Sequence, residues 1–350
     1  MLVGYEKEGV MKAVVVIEGG KSEVQNHPRP QLHDDELLVK VVAAGQNPTD
    51  WKHIKFISKP GQVIGVDFAG VVVAVGKSTQ GYNIGDRVAG VTHGGNSPEE
   101  GSFAEFLVTI PENTFRIPES LSFEDAATFG VSSGTAAVAL FQHLGLPTPL
   151  EPFKGENKPK LLVWGSSSGA GIFAVQLAKL AGIRVVATAS PHSHQMLKDL
   201  GAEAVFDYRD PDVISKIQTW AGGELVYGLD CISEDSTVPL ASNSLTGGRL
   251  VLLLSGSTSN PKNNPKVELK PMLLYTAMGK PFTKFGQTFP AIPEDAKWGR
   301  WWWKLCTQLV AEKKLKAPKV TIIGGLEDYQ IGLDRLEKGQ VKAEKMVMKW

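Results

Sequence analysis

Cysteine is scarce in this chain: among 350 residues only Cys231 and Cys306 occur, far apart. That excludes a disulfide framework and a multi-cysteine zinc lobe. There is no excess of either charge, with 37 Lys and Arg against 37 Asp and Glu. A balance of this kind creates no field for nucleic acid or an anionic membrane, so the expected partner is a small molecule. No apolar run approaches the ~20 residues that span a bilayer, and residues 1–10 are too charged for a secretory signal. A cytoplasmic location is expected, with residues 1–10 read as a loose arm ahead of a second start-like sequence at Met11. No internal repeat is found, and the length predicts two domains, each with its own core.

What the chain does have is a change of texture. Short β-branched runs punctuated by glycine cover the first third, at 13–17, 36–43, 70–75, 86–91 and 104–110, and predict a compact, mostly antiparallel β domain. From Ser122, which with Glu124 and Asp125 reads as a helix entry, strands alternate with helices: 161–164, 185–188, 204–206, 225–230 and 249–254. Such alternation implies a parallel sheet covered on both faces. Residues 259–270 and 281–293 read as loops. A helix bearing Trp298, Trp301, Trp302 and Trp303 follows, its indoles read mainly as core between the domains, and a last strand spans 344–348.

The most informative segment is LLVWGSSSGAG at 161–171, a buried strand, a glycine-rich turn and a helix start. Turns of this form bring main-chain amides and the positive end of a helix dipole to a dinucleotide's pyrophosphate. Ser166 and Ser168 stand where two glycines of G-x-G-x-x-G are usual, and their hydroxyls are expected to donate to phosphate. Ser166, Ser167, Ser168, Gly169, Ala170 and Gly171 are therefore cofactor candidates. The second strand ends in Ser190, Pro191, His192 and Ser193 without the acid that would hold a free ribose 2′-hydroxyl. NADPH is thus expected over NADH.

Asn47-Pro48-Thr49-Asp50-Trp51-Lys52, the segment 65–70, Gly85-Asp86-Arg87-Val88, the serine-rich turn, Ser190-Pro191-His192 and Phe206-Asp207-Tyr208-Arg209 together resemble the zinc-independent medium-chain dehydrogenases/reductases, in the quinone oxidoreductase-like branch. They are most similar to the fungal trans-acting enoyl reductases that serve polyketide synthases, of the lovastatin enoyl reductase type. The resemblance implies an α/β chain: a GroES-like β-rich catalytic domain at 1–128 and 296–350, and a doubly wound Rossmann NADPH-binding domain at 129–295. Where zinc alcohol dehydrogenases carry a Cys and a His-Glu pair, this chain has Asn47 and Val66-Asp67, so no metal ligand set is expected.

By the same resemblance, Lys52, Thr135 and Asn47 belong nearest the chemistry, Lys52 stabilising a forming enolate. Thr49, Asp50, Trp51 and Lys52 border the nicotinamide. Ser190, His192, Ser193 and Tyr208 line the adenosine phosphate, with Arg209 an added charge, and Leu254, Ser255, Ala343 and Glu344 complete the cofactor set. Lys345 fits a cofactor-closing strand or a surface charge equally. Ser133, Tyr275, Met278, Phe282 and Phe285 are the acceptor candidates. The implied activity is hydride transfer to the β carbon of an α,β-unsaturated carbonyl or thioester. Reduction of aldehydes or quinones, and a cofactor-binding role whose work is contact with a carrier protein or synthase, remain open. So does a monomer or a homodimer, the family's dimer route being edge pairing through Leu250–Leu254.

Overall fold

A computed structural model describes residues 9–284 and 286–350, so the expected arm falls almost wholly outside the described residues. The chain divides into two compact units, 1–131 with 275–350, and 132–274. The first crossing falls inside the helix Gly130–Ala137. The second lies some twenty residues earlier than the sequence suggests, because Tyr275, Phe282 and Lys284 pack against the β-rich unit through His93 and His53.

The β-rich unit opens with an antiparallel pair, β1 (Val10–Ile17) and β2 (Lys21–Pro28). Polar residues fill β2, which hides it from a search for apolar runs. Then come β3 (Leu37–Gly45), β4 (Asp67–Val75), β5 (Arg87–Val91), β6 (Phe106–Thr109) and β7 (Thr114–Arg116). Inward Val39, Phe68, Val88 and Leu107 make one continuous core. Ser122 begins the helix Phe123–Ala126 by accepting from the Asp125 amide, as its sequence predicts.

The second unit is a six-stranded, wholly parallel sheet. Its strands are β8 (Lys160–Trp164), β9 (Arg184–Thr188), β10 (Ala204–Phe206), β11 (Tyr227–Asp230), β12 (Gly248–Leu252) and β13 (Val267–Pro271), in spatial order β10-β9-β8-β11-β12-β13. This is the doubly wound Rossmann order. Leu161, Leu162, Val163 and Trp164 are all buried, as a strand covered on both faces requires. One expectation needs correction. The stretch 259–270 is not loop throughout, because its end forms β13; β12 is therefore paired on both sides, and Leu250–Leu252 present no free edge for a dimer.

The chain then returns to the β-rich unit. The stretch 281–293 holds a hairpin, β14 (Phe282–Lys284) and β15 (Gln287–Phe289), rather than loop alone. In the helix Pro293–Ala311, Trp302 and Trp303 are buried, and Trp303 stacks on Phe115 at 6.2 Å within this unit. Two strands, β16 (Lys319–Ile322) and β17 (Glu344–Lys349), complete a seven-stranded sheet in which β17 lies beside β3.

Candidate functional site

In the β-rich unit the site grows from the short helix Pro48–Lys52. Asn47 is extended, Pro48 supplies a pre-set φ at the first turn, and the Asp50 carboxylate accepts from the Asn47 amide at 2.6 Å. Asp50 is fully buried. It starts the helix from inside, which corrects its expected place on the cofactor. Thr49 is partly exposed and shares a 3.1 Å hydrogen bond with the Tyr275 hydroxyl. Lys52 is partly exposed, its ammonium 5.6 Å from the Trp51 ring.

One wide turn, His53–Ile57, then points His53 inward. The Lys284 ammonium donates to His53 Nε2 and lies 3.6 Å over the Tyr275 ring, and Tyr275 stacks on His93 at 4.2 Å and 5°. Phe282 packs edge-on to both Tyr275 and His93. Tyr275 and Phe282 thus come together with Thr49. Met278 lines a neighbouring cavity of about 310 Å³ with Thr92, His93, Asn113 and Pro281. Phe285 lies outside the described residues.

A second buried group centres on Lys345. Its ammonium pairs with Asp67 Oδ2 at 3.0 Å and donates to Asn47 Oδ1. Asp67 Oδ1 accepts from the Val131 amide at 2.6 Å, an approach possible because residue 130 is glycine: a Cβ there would sit 2.1 Å from that oxygen. Lys345 is 5 % exposed, so it is neither a surface charge nor free to move. Glu344, expected on the cofactor, instead holds Thr321 at 2.6 Å and Arg335 at 3.0 Å with its two oxygens. Ala343 beside it is left-handed, φ 54°.

In the Rossmann unit, β8 runs through Gly165 (φ 72°) into the helix Gly169–Leu180. The helix ladder leaves its first amides, those of Gly169 and Ala170, for a ligand. Gly171 packs against the turn so closely that a Cβ would meet Ser166 Cα at 2.6 Å. The serines are less available than their hydroxyls suggest. Ser166 Oγ is buried and donates to the Val163 carbonyl at 2.6 Å, while Ser168 Oγ accepts from the Gly171 amide at 3.2 Å as the helix cap. This corrects the expectation that Ser166 donates to phosphate; Ser167 is partly exposed.

After β9, Pro191 and His192 are exposed and Ser190 is partly so, but Ser193 is 1 % exposed and turned away from solvent. Tyr208 is exposed. The Arg209 guanidinium is engaged with Asp207 at 2.8 Å. Leu254 and Ser255 follow β12 on the surface. Thr135 and Ser133, on the helix Gly130–Ala137, are buried, and Ser133 Oγ has no hydrogen-bond partner.

Residues 33–119 match the alcohol dehydrogenase GroES-like domain family, and residues 169–278 match the zinc-binding dehydrogenase family. Across nearly its whole length the chain is 39 % identical to the trans-enoyl reductase ACTTS2 of Alternaria alternata, covering 97 % of this chain and 98 % of that one. The chain belongs to the trans-enoyl reductase family. A second relative, the trans-enoyl reductase resD of Aspergillus sclerotiorum, is 37 % identical over 97 % of this chain and 100 % of its own. The solved CurK enoyl reductase shares the fold, with a TM-score of 0.76 at 22 % identity, covering 97 % of this chain and 99 % of that one. This trans-enoyl reductase is an oxidoreductase of the medium-chain dehydrogenase/reductase type.

The family name that matches the second unit invokes zinc, and the residues of this reductase do not fit it. Catalytic zinc needs three protein donors of the His, Cys or carboxylate kind. Here Val66 offers none, and the two remaining oxygens, Asn47 Oδ1 and Asp67 Oδ2, are both taken by the Lys345 ammonium. Among the described residues no three His, Cys, Asp or Glu side chains are grouped to hold a metal. No described helix is long and apolar enough to cross a membrane.

Reading the sequence missed His53, His93 and Lys284, and named Lys345 without its buried pairing to Asp67 and Asn47. His53 adjoins the motif that ends at Lys52, and that adjacency was the available signal; nothing local marks Lys284. Burial, reinforced by Lys284, holds His53 well below the usual histidine range and His93 down to about 2, so both are neutral. Burial also lowers the Lys284 ammonium to about 7.

Burial pushes the Asp50 carboxyl up to about 8, aided by Asp67 and opposed by the Asn47 amide. Between pH 4 and 8 the folded enzyme therefore keeps a proton on Asp50 that the unfolded chain has lost, and this group's contribution falls as pH rises through that window. Asp50→Asn removes that term. Unfolding titrations should find the variant gaining on wild type steadily from pH 5 to pH 8; a constant difference across that range would refute a raised Asp50.

Proposed function

We propose that this chain is an NADPH-dependent, zinc-independent reductase that acts on the α,β-unsaturated thioester of a growing acyl chain, in trans with a polyketide synthase. The observation that carries this reading is the full-length likeness to proteins named trans-enoyl reductases. The ammonium that takes up Asn47 and Asp67 supports the metal-free part of it. An acceptor conjugated to a carbonyl spreads its own developing charge, so the reaction asks for hydrogen-bond donors rather than a Lewis acid.

When bound, the reduced nicotinamide supplies hydride to the β carbon. The chain's own residues do the rest. The Gly169 and Ala170 amides and the partly exposed Ser167 receive the pyrophosphate, and Ser190, His192 and Tyr208 receive the 2′-phosphate. Lys52 donates to the carbonyl oxygen as the enolate forms. Lys345 holds Asn47 and Asp67 rigid behind the helix that carries Thr49 and Lys52.

The test is NADPH oxidation at 340 nm against an enoyl thioester, an enal, a saturated aldehyde and a quinone, repeated with Lys52→Ala. Turnover confined to the conjugated acceptors and cut about 10²-fold by the substitution is expected. Consumption of the saturated aldehyde or the quinone alone would move the activity to carbonyl or quinone reduction. Cofactor choice has its own check. Ser190→Asp puts a carboxylate where a 2′-phosphate would sit, and should weaken NADPH at least tenfold while sparing NADH; equal losses for both would remove Ser190 from the site.

A further inference from the structure

The reductase reading leaves one atom unaccounted for, the proton that the enolate takes at its α carbon. Four titratable groups crowd the inner side of the helix Pro48–Lys52: Asp50, His53, Lys284 and Tyr275. Asp50 is fully buried, with one oxygen tied to the Asn47 amide. His53 is 1 % exposed and accepts from Lys284. His93, stacked behind, has its Nε2 buried without a partner. Tyr275 differs from all of these, because its hydroxyl reaches a group with access to water, Thr49 Oγ1 at 3.1 Å.

The surroundings of that phenol suit a donor. Its ring is clamped by His93 at 4.2 Å and by Phe282 at 6.0 Å, so the O–H direction is set by packing. The Lys284 ammonium stands 3.6 Å from the ring centroid. Burial, aided by Asp50 and Asp67, holds the Tyr275 phenol well above its usual range, so it is protonated when the enolate forms. A cation against the ring favours the phenolate over the phenol and offsets part of that cost as the proton leaves. Among the described residues no carboxylate lies within ion-pair distance of Lys284, Asp50 and Glu100 acting on it only from farther away, so a phenolate on Tyr275 would be the nearest negative charge to it.

Resting on the reductase reading, we propose that Tyr275 is the acid that protonates the α carbon, that Lys284 is the positioning charge behind it, and that Thr49 is its link to solvent. Once the β carbon has taken hydride, the electron pair of the C=C bond lies on the enolate. The Tyr275 O–H bond breaks, the new C–H bond forms at the α carbon, and the saturated thioester leaves a phenolate opposite Lys284. Water, through the Thr49 hydroxyl, returns the proton.

Reduction of an enoyl thioester by NADPH in D2O, with enzyme at substrate concentration so that slow variants still yield product, reads the donor directly. A saturated thioester incubated alongside corrects for exchange. Wild type should place deuterium on one α face. Tyr275→Phe keeps the stacked ring and should lose about 10²-fold in kcat at unchanged NADPH affinity, with deuterium on both faces. Lys284→Met should slow turnover without scrambling the label. Tyr275→Phe with wild-type rate and a single face would overturn the proposal, as would a scrambled label from wild type, both leaving the reductase reading intact. No reduction of any enoyl thioester by wild type would defeat that reading itself, and the proposal with it.

Discussion

Replacing Lys345 by methionine should cost about 3–5 kcal/mol of stability, the range found when one partner of a buried ion pair is removed. The change strands Asp67, which is fully buried and keeps only the Val131 amide on its other oxygen. It also frees Asn47 Oδ1, so the start of the helix that carries Thr49 and Lys52 loses its anchor. Adding Asp67→Asn should recover much of the loss, because a neutral amide still accepts from Val131 and leaves no uncompensated charge. Denaturant unfolding of wild type, both single variants and the double variant closes the cycle. A Lys345→Met loss below about 1 kcal/mol, the usual worth of an exposed pair, would mean that the ammonium is solvated rather than enclosed.

The second large effect is expected from one methyl group. In Gly171→Ala the new Cβ meets Ser166 Cα at 2.6 Å and its carbonyl carbon and oxygen at 2.7 Å, all main-chain atoms. No side chain can rotate away to make room, so the turn and the helix must part. Overpacking of this kind costs about 1–3 kcal/mol, and here it pushes the turn away from the helix whose Gly169 and Ala170 amides are proposed to receive the cofactor's phosphates. NADPH affinity, read by quenching of protein fluorescence, should fall more than tenfold. Unchanged affinity would show that the turn can open without cost and that the phosphates are held elsewhere.

Those two positions illustrate how unevenly the site was written in the sequence. The glycine-rich turn is local: strand, turn and helix are contiguous, so spacing alone exposes it, whereas Asn47–Lys52, equally contiguous, stands out only through its resemblance to the family's motif. The parallel sheet was legible for a related reason, since strands buried on both faces are unbroken apolar runs. What escaped was decided by contacts between distant segments. Lys345 looks like any lysine on a terminal strand until β17 is set beside β3, some 300 positions earlier, and Asp67 and Asn47 arrive around it. Lys284 lies in a stretch read as loop, and only its hairpin turns it toward His53. The hydroxyls of Ser166 and Ser168 were misjudged in the opposite sense: chemically able to bind phosphate, they are spent on the main chain of their own turn. β2 and β13 were passed over because edge strands need little apolar content.

The placement of β17 next to β3 also sets an order of events as the polypeptide emerges from the ribosome. The Rossmann unit is one uninterrupted stretch, 132–274, and has every strand it needs as soon as that stretch is released. The β-rich unit begins first and finishes last. Until Glu344–Lys349 is made, the Ala43–Gly45 end of β3, beyond its pairing with β6, lacks its neighbour and Asp67 has no counter-ion. Domains fold as units during synthesis, so the nascent chain carries a finished nucleotide fold joined to an unfinished sheet, and the last six-residue strand supplies both the missing neighbour and the missing charge.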